Sequence, residues 1–183
     1  MLSAPSGSGK TTVLRELLKM EKNATRSVSA TTRAPRPGES DGCDYWFWSR
    51  RRFLQGIRRG EFLEWAKILN HWYGTPQRPV QQALKSGRNV FLGIDVQGAR
   101  QIKKSGLAYT AIFLLPPSLK ALRERLTRRG TEAPRQIEER LQLAKIELKG
   151  MVCYDYAVVN DRLKDAVEAI RAIVKAERFR VNP

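Results

Sequence analysis

Near its start the chain reads Ala4-Pro5-Ser6-Gly7-Ser8-Gly9-Lys10-Thr11-Thr12, the spacing of a P-loop except that Ala4 stands in the opening glycine position. Gly7 and Gly9 let the backbone turn tightly enough for successive N–H groups to converge on phosphate oxygens, and the positive end of the following helix adds to their attraction. Lys10 supplies a mobile point charge for β- and γ-phosphates, and the Thr11 hydroxyl is the expected direct protein ligand of Mg²⁺. Residues Ser6, Gly7, Ser8, Gly9, Lys10, Thr11 and Thr12 therefore form the expected nucleotide-phosphate site. Only three residues precede the loop, fewer than the strand of about five that such a loop normally follows, so the expectation is a chain whose start is clipped.

Two further groups of residues have chemistry of their own. Arg33 and Arg36 lie three apart in a proline-braced loop, where their forked donors can meet on one phosphate and the Tyr45 hydroxyl can add a third contact. The alternative is a pair of solvated surface arginines. Glu64 stands between Leu63 and Trp65, an apolar setting in which a carboxylate needs donors. Guanine offers N1–H and N2–H₂ side by side, whereas adenine would turn an acceptor toward Glu64, so the pattern reads guanine over adenine. A plain surface Glu at a strand edge remains the alternative. Between Ser118 and Arg140, seven Lys and Arg residues crowd a short helical region. Arg123 and Arg128 are expected on a solvated face, and Arg125 is a secondary candidate for the transferring phosphoryl group. His71, the single histidine, has no partner pattern and reads as structural or exposed.

These residues need a frame of alternating strands and helices. Thr11 to Met20 carries Val13, Leu14, Leu17 and Leu18 at helical spacing, while Asn89 to Val96 and Tyr109 to Leu115 read as buried parallel strands. Ser118 reads as the N-cap of a helix bearing Leu119, Leu122 and Leu126 that Gly130 stops, and Ile137, Leu141, Ala144 and Leu148 define the next one. Tyr156 to Val159 reads as the last strand, and Val167, Ile170, Ile173 and Val174 face the core from a terminal helix. The proline- and charge-rich turns from Thr31 to Gly42 suit an inserted substrate-facing subdomain, roughly Ser29 to Thr75.

Composition sets the outer bounds. With 183 residues and 42% apolar content, the chain suits one folded domain. Its longest apolar run, Ala111 to Pro117, is far short of the roughly 20 residues of a membrane span, and no signal-peptide core opens it. The two cysteines, Cys43 and Cys153, suggest neither a disulfide framework nor a zinc site, which makes the cytoplasm the expected compartment. Lys and Arg number 34 against 18 Asp and Glu, a net +16, which attracts polyanions generally without choosing among nucleotide, nucleic acid and acidic lipid.

The ordered set Ser29-Ala30-Thr31-Thr32-Arg33-Ala34-Pro35-Arg36-Pro37-Gly38-Glu39, Gly42-Cys43-Asp44-Tyr45, Gly60-Glu61-Phe62-Leu63-Glu64-Trp65, Tyr73-Gly74-Thr75 and Asp95-Val96-Gln97-Gly98 resembles guanylate kinases in order and spacing. With the P-loop, Arg129-Gly130-Thr131-Glu132 and Val159-Asn160-Asp161, the resemblance covers nearly the whole chain. It implies an α/β fold: a P-loop NTPase core with a central parallel sheet flanked by helices, a small GMP-binding subdomain and a helical lid. Within a single domain, 1–183, the core would take 1–28, 81–117 and 141–183, the GMP-binding region 29–80 and the lid 118–140. The implied activity is MgATP-dependent phosphorylation of GMP, giving GDP and ADP, by a monomer or homodimer that requires neither nucleic acid nor membrane.

By the same resemblance Lys10, Arg129 and Arg140 are catalytic, Ser29 contacts O6 of guanine, Thr75 its exocyclic amine, Tyr73 lies beside the ring, and Arg33, Arg36, Tyr45, Glu64 and Asp95 complete the GMP site. One position departs from the family. Guanylate kinases usually read Asp-x-Asp where this chain reads Gly93-Ile94-Asp95, so the first carboxylate, which helps order the water shell of Mg²⁺, is replaced. Two other readings follow from that departure and from the charge: a catalytically weakened guanylate-kinase-like domain that binds phosphopeptides, and a basic nucleic-acid-binding NTPase. The intact Gly9, Lys10 and Thr11 favour the enzyme.

Overall fold

The structure, a computed structural model, describes residues 1–130 and 133–181. Thr131, Glu132 and the side chain of Arg129 lie outside the described part. In chain order the elements are β1 (Leu2–Ser3), α1 (Lys10–Met20), β2 (Ala24–Arg26), β3 (Ala30–Thr31), β4 (Trp46–Phe47), α2 (Arg50–Arg58), β5 (Phe62–Ile68), β6 (His71–Pro76) and α3 (Gln77–Lys85). They continue with β7 (Asn89–Phe91), β8 (Gly93–Ile94), α4 (Val96–Lys104), β9 (Ile112–Leu115), α5 (Leu119–Arg129), α6 (Pro134–Lys149), β10 (Tyr156–Val159) and α7 (Leu163–Glu177). No helix among the described residues is long and apolar enough to cross a membrane.

The chain divides into two compact units, Met1–Met20 with Ala108–Pro183, and Glu21–Leu107. In the first, β1, β9 and β10 run parallel, with Leu2 opposite Ile112 and Tyr156 to Val159 opposite Ile112 to Leu115. Phe113 and Leu114 on β9 are fully buried, as an interior parallel strand covered by helices requires. Helices α1 and α7 bury Val13, Leu14 and Leu17, and Ala166, Val167 and Ile170. Helices α5 and α6 close on each other through Leu122, Leu126, Ile137, Leu141 and Ala144. Their ends follow ordinary chemistry: the Ser118 hydroxyl accepts from Ala121 N–H, and Gly130 closes α5 in the left-handed region at φ 65°.

The second unit holds two small sheets. One pairs β2 with β7 in parallel; the other runs β4-β3-β6-β5, with β5 and β6 an antiparallel hairpin bulged between Phe62 and Glu64. Its core centres on Phe53 of α2, fully buried and stacked on Phe62 at 4.6 Å between ring centroids. By this division segments 21–28 and 81–107, expected with the nucleotide core, fall in the same unit as 29–80, where β2 pairs with β7 and α4 lies against β5. The strand expected over Asn89 to Val96 also differs. It breaks at Leu92 and gives way to α4 at Val96, because the Asp95 carboxylate accepts the Gly98 N–H at 2.7 Å and caps a helix there.

Candidate active site

In the first unit the loop between β1 and α1 takes the conformation that its glycines permit. Gly7 and Gly9 sit at φ 94° and 92°, left-handed geometry that residues with a side chain adopt only under strain. Space reinforces the choice at Gly9, where a Cβ would stand 2.5 Å from Nδ2 of Asn160. At Gly7 a Cβ would meet Leu126 at 2.9 Å, so the apolar face of α5 packs directly against the loop. Ser8 N–H bonds to Pro5 O at 3.1 Å, and Val13 N–H to Gly9 O at 3.0 Å as the helix begins.

Asn160, just after β10 and 5% exposed, donates from Nδ2 to the Ser8 carbonyl at 2.7 Å. Because a trans peptide is planar with C=O and N–H opposed, fixing that carbonyl against Asn160 turns the Gly9 N–H to the other side, where a phosphate is expected. Arg125 of α5 supports the arrangement, donating to Asn160 O at 2.8 Å and reaching Ser8 O at 3.5 Å. Arg125, a secondary candidate for the transferring phosphoryl group, is thus turned toward backbone carbonyls of the scaffold. Asn160 belongs to the Val159-Asn160-Asp161 motif, but nothing in its local spacing shows that it folds back onto residue 8.

Arg140 of α6 donates from Nη1 to the Ser6 hydroxyl at 2.7 Å, which brings it to the glycine loop. Arg123 forms an exposed ion pair with Glu138 at 2.6 Å, and its hydrogen bond holds the Glu138 carboxyl below the usual carboxylate range. Arg128 is solvated. The Arg129 side chain lies outside the described part.

In the second unit three neighbouring strands bring together Ser29, Glu64 and Thr75, the residues expected around the base. Ser29 directly precedes β3, Thr75 lies on β6 and Glu64 pairs with it from β5. All three are buried, at 8%, 0% and 4% exposure. The Thr75 hydroxyl donates to Glu64 Oε1 at 2.6 Å, and its oxygen lies 3.4 Å from the Ser29 hydroxyl. Asp95 stands at the start of α4; its Oδ1 caps the helix, and its Oδ2 is buried with no hydrogen-bond partner among the described residues.

The arginine loop forms a second cluster in this unit. Arg33 donates from Nη2 to both Glu39 oxygens, at 2.9 and 2.8 Å, and from Nη1 to Ala34 O at 2.5 Å. Its guanidinium lies 5.6 Å from the Tyr45 ring centre, and the Tyr45 and Tyr73 rings meet edge-on at 6.0 Å. Burial alone would lower the Arg33 pKa, but the Glu39 carboxylate and the Tyr73 hydroxyl outweigh it and push the pKa up, so Arg33 stays a cation. Burial also pushes the Tyr45 phenol up, Tyr73 adding to it, which keeps that hydroxyl a donor. Glu39 also accepts the Arg36 N–H at 2.8 Å, bracing the loop from inside. Glu39 carries no role in the motif by itself; the signal for one is an acid six residues after Arg33 across a Pro-x-Pro-Gly turn.

The family model for guanylate kinase matches residues 1–177 of this chain. The chain belongs to the guanylate kinase family. A guanylate kinase of Desulfitobacterium hafniense is 46% identical over 182 residues, covering 100% of this chain and 91% of its own length. One from Onion yellows phytoplasma is 49% identical, with 87% of its length covered. The crystal structure of guanylate kinase from Anaplasma phagocytophilum superposes with a TM-score of 0.80 at 34% identity, over 98% of this chain and 85% of that one. Against that background Gly93 is the departure noted above. It opens β8, two residues before Asp95 on extended backbone, so both positions address one face.

Asn160→Ala should release the Ser8 carbonyl and let the loop relax. Losing a buried hydrogen bond of this kind costs about 1–3 kcal/mol, so ATP affinity measured by calorimetry should fall by roughly tenfold while GMP affinity holds.

Proposed function

We propose that this family member transfers the terminal phosphoryl group of ATP to the phosphate of GMP, giving ADP and GDP, with the donor and acceptor roles divided between its two units. The observation that carries the reading is the buried Ser29–Thr75–Glu64 array. A carboxylate at 4% exposure would be costly without donors, and guanine brings two in parallel. Thr75 has its proton committed to Glu64 Oε1, so its oxygen remains an acceptor for the exocyclic amine. Ser29 supplies a hydroxyl for O6. Adenine would leave Glu64 facing a lone pair and is rejected by the unpaired group. Asp95 Oδ2, buried without a partner among the described residues, offers a further acceptor to the bound nucleotide.

The phosphate of GMP falls to Arg33, Arg36, Tyr45 and Tyr73. The cluster of Arg33, Tyr45 and Tyr73 in this unit supports placing Tyr73 on the phosphate side of the nucleotide, in contrast to the place beside the ring that the resemblance implied. Glu39 holds Arg33 in position and keeps it charged. The acceptor oxygen of GMP is already anionic near neutral pH, so no side chain has to remove a proton from it.

On the donor side, the N–H groups of Ser6 to Thr12 and the positive end of α1 receive the ATP phosphates. Lys10 neutralises charge on the β- and γ-phosphates, and Arg140, anchored on Ser6, adds a second cation where charge spreads in a loose, in-line transition state. Arg129 is proposed for the same work. The described residues contain no cluster of three or more His, Cys, Asp or Glu able to hold a metal, so an ion here would take the Thr11 hydroxyl, nucleotide phosphate oxygens and waters. That all-oxygen set suits Mg²⁺. Mg²⁺ held there would supply charge neutralisation for the ATP phosphates.

Lys10→Ala should lower turnover by at least about a hundredfold, with GMP affinity little changed, in a coupled assay of ADP formation. Wild-type turnover in that variant would contradict the donor assignment. Glu64→Gln replaces an acceptor with a mixed donor and acceptor and should cost roughly 2–4 kcal/mol in kcat/KM for GMP; equal use of GMP by the variant would remove Glu64 as the base reader. Carboxylates around a metal's water shell matter at about the 10–100-fold level, so Gly93→Asp should lower the half-saturating Mg²⁺, read both in turnover and in calorimetric binding of ATP. An unchanged or higher requirement would show that another group has taken over the missing carboxylate's role.

A further inference from the structure

The carboxylate of Glu64 is placed by more than its own strand. Oε1 is held by Thr75 at 2.6 Å, and Oε2 lies against the backbone of Gly98 in the first turn of α4. A Cβ on Gly98 would stand 2.2 Å from Oε2 and 2.8 Å from Cδ of Glu64, closer than any real contact. Gly98 sits in helical backbone without positive φ, so glycine is needed at this position for space and not for conformation. Its N–H is taken by Asp95 Oδ1 at 2.7 Å, which fixes where that first turn lies.

A second contact comes three residues along the same helix. The Gln101 side-chain amide brackets Trp65, the residue after Glu64: Oε1 accepts the Trp65 N–H at 3.2 Å, and Nε2 donates to the Trp65 carbonyl at 2.6 Å. Strand β5 is the edge of its sheet, so Trp65 would otherwise turn an unpaired N–H and C=O away from β6. Gln101 acts as one residue of a missing neighbour strand. Helix positions three apart share a face, so Gly98 and Gln101 act on β5 together. One admits the carboxylate; the other pins the backbone beside it.

We propose that Gly98 and Gln101 are positioning residues for guanine recognition, and that α4 sets the location of the Glu64 carboxylate. This rests on the reading of Glu64 as the base reader. A Gly98 methyl would have to displace the carboxylate by about 1 Å, and misplacements of that size cost on the order of a hundredfold where two groups must align.

The test is a mutant cycle on the full chain, measuring KM for GMP and for ATP, turnover and the thermal midpoint. Gly98→Ala should raise KM for GMP by roughly 10–100-fold with KM for ATP unchanged, and Gln101→Leu by roughly fivefold in the same pattern. In a Glu64→Ala background, where the colliding carboxylate is gone, Gly98→Ala should add less than about twofold. Should Gly98→Ala fold poorly, Gln101→Leu together with its own Glu64→Ala double variant carries the same comparison. Losses that multiply in the double variants, or that fall equally on ATP and GMP, would overturn the proposal, as would unchanged KM for GMP in the single variants. If Glu64→Ala itself leaves KM for GMP unchanged, the base-reader assignment fails. If Glu64→Ala raises it and Gly98→Ala and Gln101→Leu do not, the positioning role alone fails.

Discussion

A carboxylate held at 4% exposure constrains everything packed around it. An isolated ionised group in such a place would be costly, so its surroundings must supply donors and exclude disorder. In this chain the obligation falls on four elements of the second unit. Strands β3 and β6 bring Ser29 and Thr75 alongside β5, and α4 leaves a gap at Gly98 where the second oxygen lies. Phe62 of the same hairpin stacks on the buried Phe53 of α2. Ligand specificity and local stability are therefore parts of one packing problem.

The first unit solves a different problem, how to gather backbone N–H groups around an anion without side-chain cost. Left-handed Gly7 and Gly9 permit the loop, while Leu126, Asn160 and Arg125 fill the side facing the protein. The loop is thereby clamped from behind. Arg125 and Arg140 show how similar residues part company: one turns back to carbonyls of the scaffold, the other reaches the Ser6 hydroxyl at the rim.

The net charge of +16 gains meaning in this setting. Several arginines are already partnered by carboxylates, as in Arg33 with Glu39, Arg52 with Glu61 and Arg123 with Glu138. Of these, the exposed Arg123 pair contributes little to stability, whereas the Arg33 pair, with the arginine side chain 10% exposed, organises a loop. The excess cations suit a protein whose two substrates are both polyanions.

Residue chemistry at short range was legible from the sequence alone. The glycine-lysine-threonine spacing of the phosphate loop, the caps at Ser118 and Gly130, the periodic faces of α1, α5, α6 and α7, and each single motif of the family depend on neighbours within a few residues, and local spacing records them. Contacts between distant segments were decided by the fold. Residue 160 closing on residue 8 and Gln101 standing in for a strand beside Trp65 both require knowing which surfaces meet. The division of the chain between its two units is of this kind too, since β2 and β7 join through hydrogen bonds 65 residues apart. Sequence fixes what each residue can offer a few positions away; only the closed chain determines which offers are taken up, because burial and pairing are properties of the packed whole.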